Sequence, residues 1–253
     1  MSPRHPGRPA VQPRPVRRAY EQVADQMRQW ILTGALTAGE QLPVEAELAE
    51  QFGTSRSTIR EALRLLAADN LVVTRAGAGG GTSVARPVPD RISHLLDSNL
   101  SLLVWSDELT PEDVIATREI LEIPVASLAA ANRDEDQLDR LRKLLPERPG
   151  EMDPDALHQI DREFHNVLFE ASGNRLLPLL CAPLSGVLER GFQRSRMAPD
   201  FWEAVVQEHR AIAAAVEARD TEGAADRMRD HLRSVREGYR LMDVAHRRDQ
   251  PTG

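Results

Sequence analysis

The 253-residue chain contains one cysteine, two tyrosines and no long hydrophobic run. The single Cys181 excludes an internal disulfide, and no segment approaches the roughly 18 consecutive apolar residues that a membrane-spanning helix needs. Residues 1–18 hold prolines and arginines around almost no apolar side chains, unlike a secretory signal. We therefore expect a cytoplasmic protein that does not contact the membrane.

Charge is divided unevenly along the chain, although the net charge is −7. Residues 1–90 carry 11 arginines against 9 acidic residues, a balance of +2, whereas residues 91–253 carry 21 basic and 30 acidic residues, a balance of −9. A basic N-terminal part suits contact with phosphates, and an acidic remainder discourages unspecific binding to nucleic acid.

The N-terminal third predicts a small domain that follows a flexible basic arm at residues 1–18. Helical spacing of apolar residues runs from Tyr20 to near Gly34, a second helix is expected within 42–53, and a third over 54–66. Two β-type runs at 71–75 and 82–86 then surround a glycine-rich turn. This order predicts a winged helix-turn-helix domain over residues 19–86.

The rest of the chain predicts helices only. After a proline-containing linker at 87–92, an all-helical domain is expected over 93–245, with a tail at 246–253. The helical segments lie at roughly 90–105, 111–131, 134–145, 153–172, 174–192, 199–219 and 220–245. The predicted fold class is therefore mainly α, with an N-terminal winged helix-turn-helix domain and a C-terminal bundle of six or seven helices.

The third helix has one apolar side, and it carries Arg56, Arg60, Arg64 and Ser57 on the adjoining side. An arginine fork forms two hydrogen bonds with guanine in the major groove, while Thr54, Ser57 and Thr58 suit phosphate contact. The glycine-rich turn offers backbone N–H groups that no side chain shields. An amphipathic helix with a solvated basic face is also common, so the interpretation depends on the agreement of the arm, the helices and the turn.

Polar residues that interrupt apolar helical stripes are the informative positions of the second domain. Asp161 and His165 are one turn apart on one helix, and His209 and His231 lie on the apolar faces of two others. Together they predict a cage for a divalent metal such as Zn²⁺ or Ni²⁺. Each histidine alone is more often a hydrogen-bonded core residue. The remaining histidines are expected to be structural or solvated: His5, His94, His158 and His246.

Arg118 lies on the apolar stripe of its helix, where a guanidinium group needs an anion. A salt bridge to an internal acid and the carboxylate of a bound ligand are equally compatible with this position.

The segments "LPVEAELAEQFGTSRSTIREALRLLAADNLV" and "GGGTSV" resemble the DNA-binding domain of the GntR family of bacterial transcription regulators. The resemblance implies Arg56 and Arg60 as principal readers of double-stranded DNA, with Ser57, Thr58, Arg64, Gly79 and Gly80 around them. Val44 stands where the family usually has a serine that caps the second helix.

Residues 90–245 resemble the FCD effector domain of the FadR subfamily, through "REILE", "DREFH", "ASGN", "EHR" and "DHL". In that family an aspartate and three histidines bind a metal, and a small carboxylate effector often completes its coordination. The resemblance implies Asp161, His165, His209 and His231 as ligands of Zn²⁺, or of Ni²⁺ or Mn²⁺, with Arg118 binding the effector.

We expect a ligand-responsive repressor that binds a palindromic operator as a homodimer. A constitutive DNA-binding protein whose helical domain only dimerises is one alternative. A zinc hydrolase is another, but it lacks an inward carboxylate beside His209 or His231, because Glu208 and Asp230 are expected on other faces. We therefore do not expect an enzyme.

Overall fold

A computed structural model describes residues 17–77, 80–106, 108–192, 197 and 199–249. The chain divides into two compact units, Met1–Pro87 and Val88–Gly253. The first unit combines helices with a small sheet, and all regular elements of the second unit, within the part that the structure describes, are helical. The mainly α fold class is therefore confirmed.

The first unit has the elements α1 (Ala19–Leu32), α2 (Glu45–Gln51), α3 (Arg56–Ala68), β1 (Val72–Arg75) and β2 (Gly81–Val84). The two strands pair antiparallel, with Val72 opposite Val84. Gln41 adds an isolated bridge to Ser83, so a third segment joins the wing. Gly53, between α2 and α3, adopts a φ of 60°, which favours glycine in the helix-turn-helix turn.

One apolar core holds the first unit together. Each helix supplies part of it, because its apolar residues recur at helical spacing, and the strands supply Val72 and Val84. The fully buried side chains on α3 are those of Ile59, Ala62 and Leu66. The opposite side of α3 is therefore free to face a partner.

The second unit contains seven helices among the described residues. They are α4 (Pro89–Trp105), α5 (Pro111–Asn132), α6 (Glu135–Lys143), α7 (Pro154–Ala171), α8 (Leu176–Phe192), α9 (Pro199–Glu217) and α10 (Thr221–Asp249), with a single 3-10 turn at Pro149–Glu151. Helix α4 begins inside the segment 87–92 that we assigned to a linker, because proline is compatible with a first helical turn. None of the helices described is both long and apolar enough to span a membrane.

Two apolar clusters form the core of the second unit. Ile115 of α5 and Val205 of α9 belong to one cluster. Val125 of α5 and Ile212 of α9 belong to the other. Buried polar side chains occupy the intervening positions of these helices and of α7 and α10. We call this set the polar layer: Arg118, Glu122, Asp161, His165, His209 and His231.

Candidate functional site

The exposed side of α3 carries the arginines that the sequence singles out. Arg56, Arg60 and Arg64 are all exposed, as is Ser57, whereas Thr54 and Thr58 are half-buried. Because the apolar side of α3 is anchored in the core, these arginines form one cationic surface. Such a surface is chemically suited to phosphates and to guanine edges.

The start of α3 is organised by Ser55, which was not among the predicted site residues. Ser55 is the N-cap, and its Oγ accepts a hydrogen bond of 3.1 Å from the backbone N–H of Thr58. The same oxygen lies 2.8 Å from Ser57 Oγ and 2.9 Å from Thr58 Oγ1. A serine directly before an amphipathic helix is the usual signal for this role. Two hydroxyls assigned to DNA contact therefore also bond this cap.

Arg60 is paired with an acid from the neighbouring helix. Its Nε lies 3.2 and 3.3 Å from the two carboxylate oxygens of Glu45, and its Nη2 lies 2.8 Å from Oε2. Hydrogen bonding to Arg60 lowers the pKa of Glu45. Burial acts in the opposite direction and raises the pKa, whereas the charges of Arg56 and Arg64 lower it further. Glu45 is therefore an anion beside the candidate reading surface.

Gly80 lies in the wing, where backbone geometry requires glycine. A Cβ at this position would lie 2.2 Å from the carbonyl oxygen of Arg75. The N–H of Gly80 donates a 2.8 Å hydrogen bond to the carbonyl of Gly77, so the turn itself uses this donor. Gly79, the other expected wing contact, lies outside the described residues.

The structure brings together Asp161, His165, His209 and His231. One potential ligand atom from each lies within 4.8 Å of every other, and all four residues are buried. Asp161 and His165 come from α7, His209 from α9 and His231 from α10. Four buried N and O donors converging from three helices could hold a divalent metal ion.

Distances within the cluster fit one ion. Asp161 Oδ1 lies 3.6 Å from His209 Nε2 and 3.9 Å from His165 Nε2. Two ligand atoms bound at about 2.0–2.2 Å to the same zinc ion lie at most about 4.4 Å apart. The upper limit of 4.8 Å for the whole cluster exceeds this value by a few tenths of an ångström, so the four side chains need only approach one another slightly to share an ion.

Two glutamates lie beside histidines of the cluster, and neither was predicted to do so. His165 Nδ1 lies 2.7 Å from Glu122 Oε2, and His231 Nδ1 lies 2.8 Å from Glu208 Oε2. With a proton on Nδ1, the His231 ring donates to Glu208 and directs Nε2 towards the cluster, as is usual for metal-binding histidines. His165 Nδ1 lies beside Glu122 without hydrogen-bond geometry. Our expectation that Glu208 lies on another face was wrong, because the flank of α9 packs against α10.

Arg118 is fully buried, and an internal acid satisfies part of its charge. Its Nε lies 2.6 Å from Glu122 Oε1, and its Nη2 lies 3.3 Å from Oε2 and 3.2 Å from His165 Nε2. Burial alone would raise the pKa of Glu122, but Arg118 and His165 hold it well below its ordinary value. Arg118 Nη1 is buried without a hydrogen-bond partner among the residues described, so one edge of the guanidinium is left for an anion.

His158 is one of the four histidines that we expected to be structural or solvated. Of the others, His94 is exposed, and His5 and the side chain of His246 lie outside the part of the chain that the structure describes. We placed His158 outside the inward stripes, yet it is fully buried on α7, and its ring meets Trp202 edge-on at 6.4 Å between centroids. It is one turn before Asp161 and thus shares the inner side of α7. His158 is therefore a core residue and not a solvated one.

Comparison with known proteins agrees with this architecture. Residues 19–83 match the bacterial regulatory proteins of the gntR family, and residues 113–234 match the FCD domain. The chain is 33% identical over 214 residues to the HTH-type transcriptional regulator LutR of Bacillus subtilis (strain 168). The aligned region covers 81% of this chain and 94% of that protein.

A second relative is the putative L-lactate dehydrogenase operon regulatory protein of Escherichia coli (strain K12), with 29% identity over 231 residues, 90% of this chain and 88% of that protein. Among solved structures, Streptococcus agalactiae GntR matches with a TM-score of 0.56 and 29% identity, over 86% of this chain and 99% of that one. The chain therefore belongs to the GntR family of bacterial transcription regulators, of the FadR-like kind that joins a DNA-binding winged helix-turn-helix domain to an FCD effector domain.

Proposed function

We propose that this regulator is a cytoplasmic homodimeric repressor that releases a palindromic operator when a small carboxylate binds its metal-containing FCD domain. The convergence of Asp161, His165, His209 and His231 within 4.8 Å is the observation that carries this proposal. A domain that served only for dimerisation would have no use for four metal-type donors at one buried point, since removing polar groups from water carries a desolvation cost.

DNA reading is assigned to α3 and the wing. Arg56 and Arg60 contact base edges or phosphates, and Arg64, Thr54, Ser57 and Thr58 fix the register on the backbone. The exposure of the three arginines beside a buried apolar side supports this assignment. Gly79 and Gly80 allow the wing to approach the duplex closely, since no side chain intervenes.

The metal is held by the Asp161 carboxylate and the three histidines, with Zn²⁺ favoured and Ni²⁺ or Mn²⁺ possible. When bound, the ion supplies a positive centre that attracts an anionic effector. Glu208 keeps the His231 imidazole oriented through its Nδ1 atom, and the Glu122 carboxylate lies 2.7 Å from Nδ1 of His165. Both glutamates lie beside histidines of the metal site, so neither is left to act as the general base of a hydrolase. This arrangement favours a metal that binds the effector over a metal that catalyses hydrolysis.

The effector is a small carboxylate that meets the metal and the free Nη1 edge of Arg118. Ser185 supports a narrower class. Its Oγ is buried and lacks a hydrogen-bond partner among the described residues. Ser185 lies on α8 one turn after Cys181, whose pKa is raised by burial and is also affected by the charges of Glu122 and Arg118 in the polar layer. A hydroxy acid would satisfy the Ser185 hydroxyl, and lactate, which occurs in the name of one relative, is such an acid.

The homodimer is supported by an apolar surface on α4. Ile92, Leu95 and Leu102 are exposed at spacings of three and seven residues, and Trp105 is 71% exposed. Exposed apolar side chains repeated along one side of a helix are typical of a protein interface. A two-fold dimer would present two copies of α3 to successive turns of a palindromic operator.

The switch follows from differential binding. An effector that binds one arrangement of the helices more tightly shifts the population towards it, and α4 is the helix that leads from the linker into the FCD domain. The two DNA-binding domains of the dimer then lose the spacing that the operator requires.

Elemental analysis of the purified full-length protein tests the proposal. We expect close to one metal ion per chain, and a marked loss when His209 and His231 are both replaced by alanine. In a thermal-shift screen, small mono- and dicarboxylates should stabilise the loaded protein. Metal-free protein and a blank screen would favour the constitutive alternative, and metal-dependent turnover of activated esters would favour a hydrolase.

A further inference from the structure

Arg60 uses only one edge of its guanidinium to bond Glu45. The bonded atoms are Nε and Nη2, at 3.2 and 2.8 Å from the nearest carboxylate oxygens. Glu45 is the first residue of α2, so the pair connects the two helices of the helix-turn-helix. Nη1 takes no part in these bonds, and the edge formed by Nη1 and Nη2 faces away from the carboxylate.

A guanidinium group has two edges that can each offer a parallel pair of N–H donors, Nε with Nη2 and Nη1 with Nη2. Guanine accepts such a pair at O6 and N7 in the major groove. We propose that Glu45 is a positioning residue that holds the first edge of Arg60 and thereby presents the second edge to a guanine. The proposal rests on the proposed function, in which α3 reads the major groove.

The charge of Glu45 adds a second effect. An anion beside Arg60 repels DNA phosphates, so it makes a phosphate a poorer partner for this arginine than an uncharged base edge. Arg56 differs, because among the described residues it forms no hydrogen bond or ion pair. Arg64 bonds Glu61 at 2.7 Å within α3 itself, a local pair that fixes no direction relative to α2. Glu45 therefore distinguishes Arg60 from its two neighbours.

The test is selection of duplexes from a random-sequence DNA pool by the full-length protein, followed by sequencing. Four proteins are compared: wild type, Glu45→Gln, Glu47→Gln and Arg60→Ala. Glu47 is the matched control, because it lies on the same helix, is exposed, and loses the same charge without bonding an arginine in the part of the chain that the structure describes. Binding to one unrelated duplex at fixed salt gives the unspecific affinity.

Arg60→Ala should abolish the guanine preference at one position of each half-site. Glu45→Gln should lower the preference at that same position about five- to tenfold, and leave the other positions unchanged. Unspecific affinity should rise by a similar few-fold factor in Glu45→Gln and Glu47→Gln, since both remove one negative charge. A purely structural role of Glu45 would instead weaken binding at all positions together.

A wild-type preference at the Arg60 position in Glu45→Gln would overturn the positioning role while leaving Arg60 as a reader. Unchanged preferences in Arg60→Ala would overturn both the reader assignment and this inference. If Glu45→Gln does not fold, Glu45→Asp provides the same comparison, because the shorter side chain keeps the charge but retracts the carboxylate. The Glu45→Asp variant should lose the guanine preference at the Arg60 position without gaining unspecific affinity.

Discussion

The Nδ1 atom of His231 lies 2.8 Å from Oε2 of Glu208, which belongs to the preceding helix. Because the carboxylate fixes the imidazole orientation, Glu208→Gln should weaken zinc binding about 10- to 100-fold, as measured by competition with a chelator. Glu203→Gln, an exposed change on the same helix, is the control. Equal affinities of the two variants would contradict a role of Glu208 in the metal site.

Replacement of Arg56 by alanine should remove specific operator binding in a gel-shift assay, since a bidentate contact contributes about 1–3 kcal/mol of discrimination. Circular dichroism and thermal unfolding should stay unchanged, because the side chain is exposed. Arg233→Ala in the second unit removes an equally exposed arginine and should leave the shift intact. Wild-type shifts by Arg56→Ala would refute the assignment of α3 as the recognition helix.

Val44 is the N-cap of α2, and no side-chain hydrogen bond caps this helix. Val44→Ser should stabilise the DNA-binding unit by about 1 kcal/mol, because serine accepts a bond from a free N–H of the first turn. The measurement is the unfolding transition of that unit in denaturant. Val44→Ala cannot form the bond and should show no such gain; equal stability of the two variants would indicate that water already satisfies the helix start.

The hydroxyl of Ser185 should distinguish 2-hydroxypropanoate from propanoate. In thermal-shift titrations of the metal-loaded protein, the wild type should bind the hydroxy acid more tightly, since a buried hydroxyl left without a partner disfavours the analogue. Ser185→Ala should bring the two affinities together and keep the response to propanoate. Ser98→Ala, an exposed change on α4, should behave as wild type. A preserved difference in Ser185→Ala would exclude Ser185 from effector recognition.

Cys181 should resist thiol reagents in the native protein. Burial raises its pKa to about 12, and the nearby Glu122 carboxylate adds to the shift. At pH 8 the thiolate fraction is then smaller by about 1000-fold or more than for an exposed cysteine, so labelling should require opening of the helical domain. Because this is the only cysteine, the labelling rate reports that opening directly. Rapid labelling of folded protein would show that α8 opens readily.

The helices and the four metal-type donors could be predicted from sequence because both depend on periodicity along a single helix. Asp161 and His165 are one turn apart, and His209 and His231 interrupt apolar stripes, so each was already placed on an inner face. The spacing of apolar residues alone identifies the side of each helix that faces the core. Their convergence within 4.8 Å is what the folded structure adds.

The partners across helices could not be predicted in the same way. Glu208 bonds His231 only because the flank of α9 packs against α10, and Glu45 meets Arg60 across the helix-turn-helix turn. Glu122 is different, since its spacing of four from Arg118 on one helix is visible in the sequence. Inter-helix pairs depend on packing angles, which hydrophobic spacing does not encode.

The polar layer also constrains how this protein can change over evolutionary time. Loss of Glu122 leaves the buried charge of Arg118 uncompensated, at a cost of about 3–5 kcal/mol, whereas apolar replacement of a whole buried set is often neutral or favourable. A single substitution at Glu122 or Arg118 therefore crosses a barrier that several simultaneous ones avoid. Descendants of this chain should keep the complete set or abandon it as a block, and intermediates with half of it should be rare.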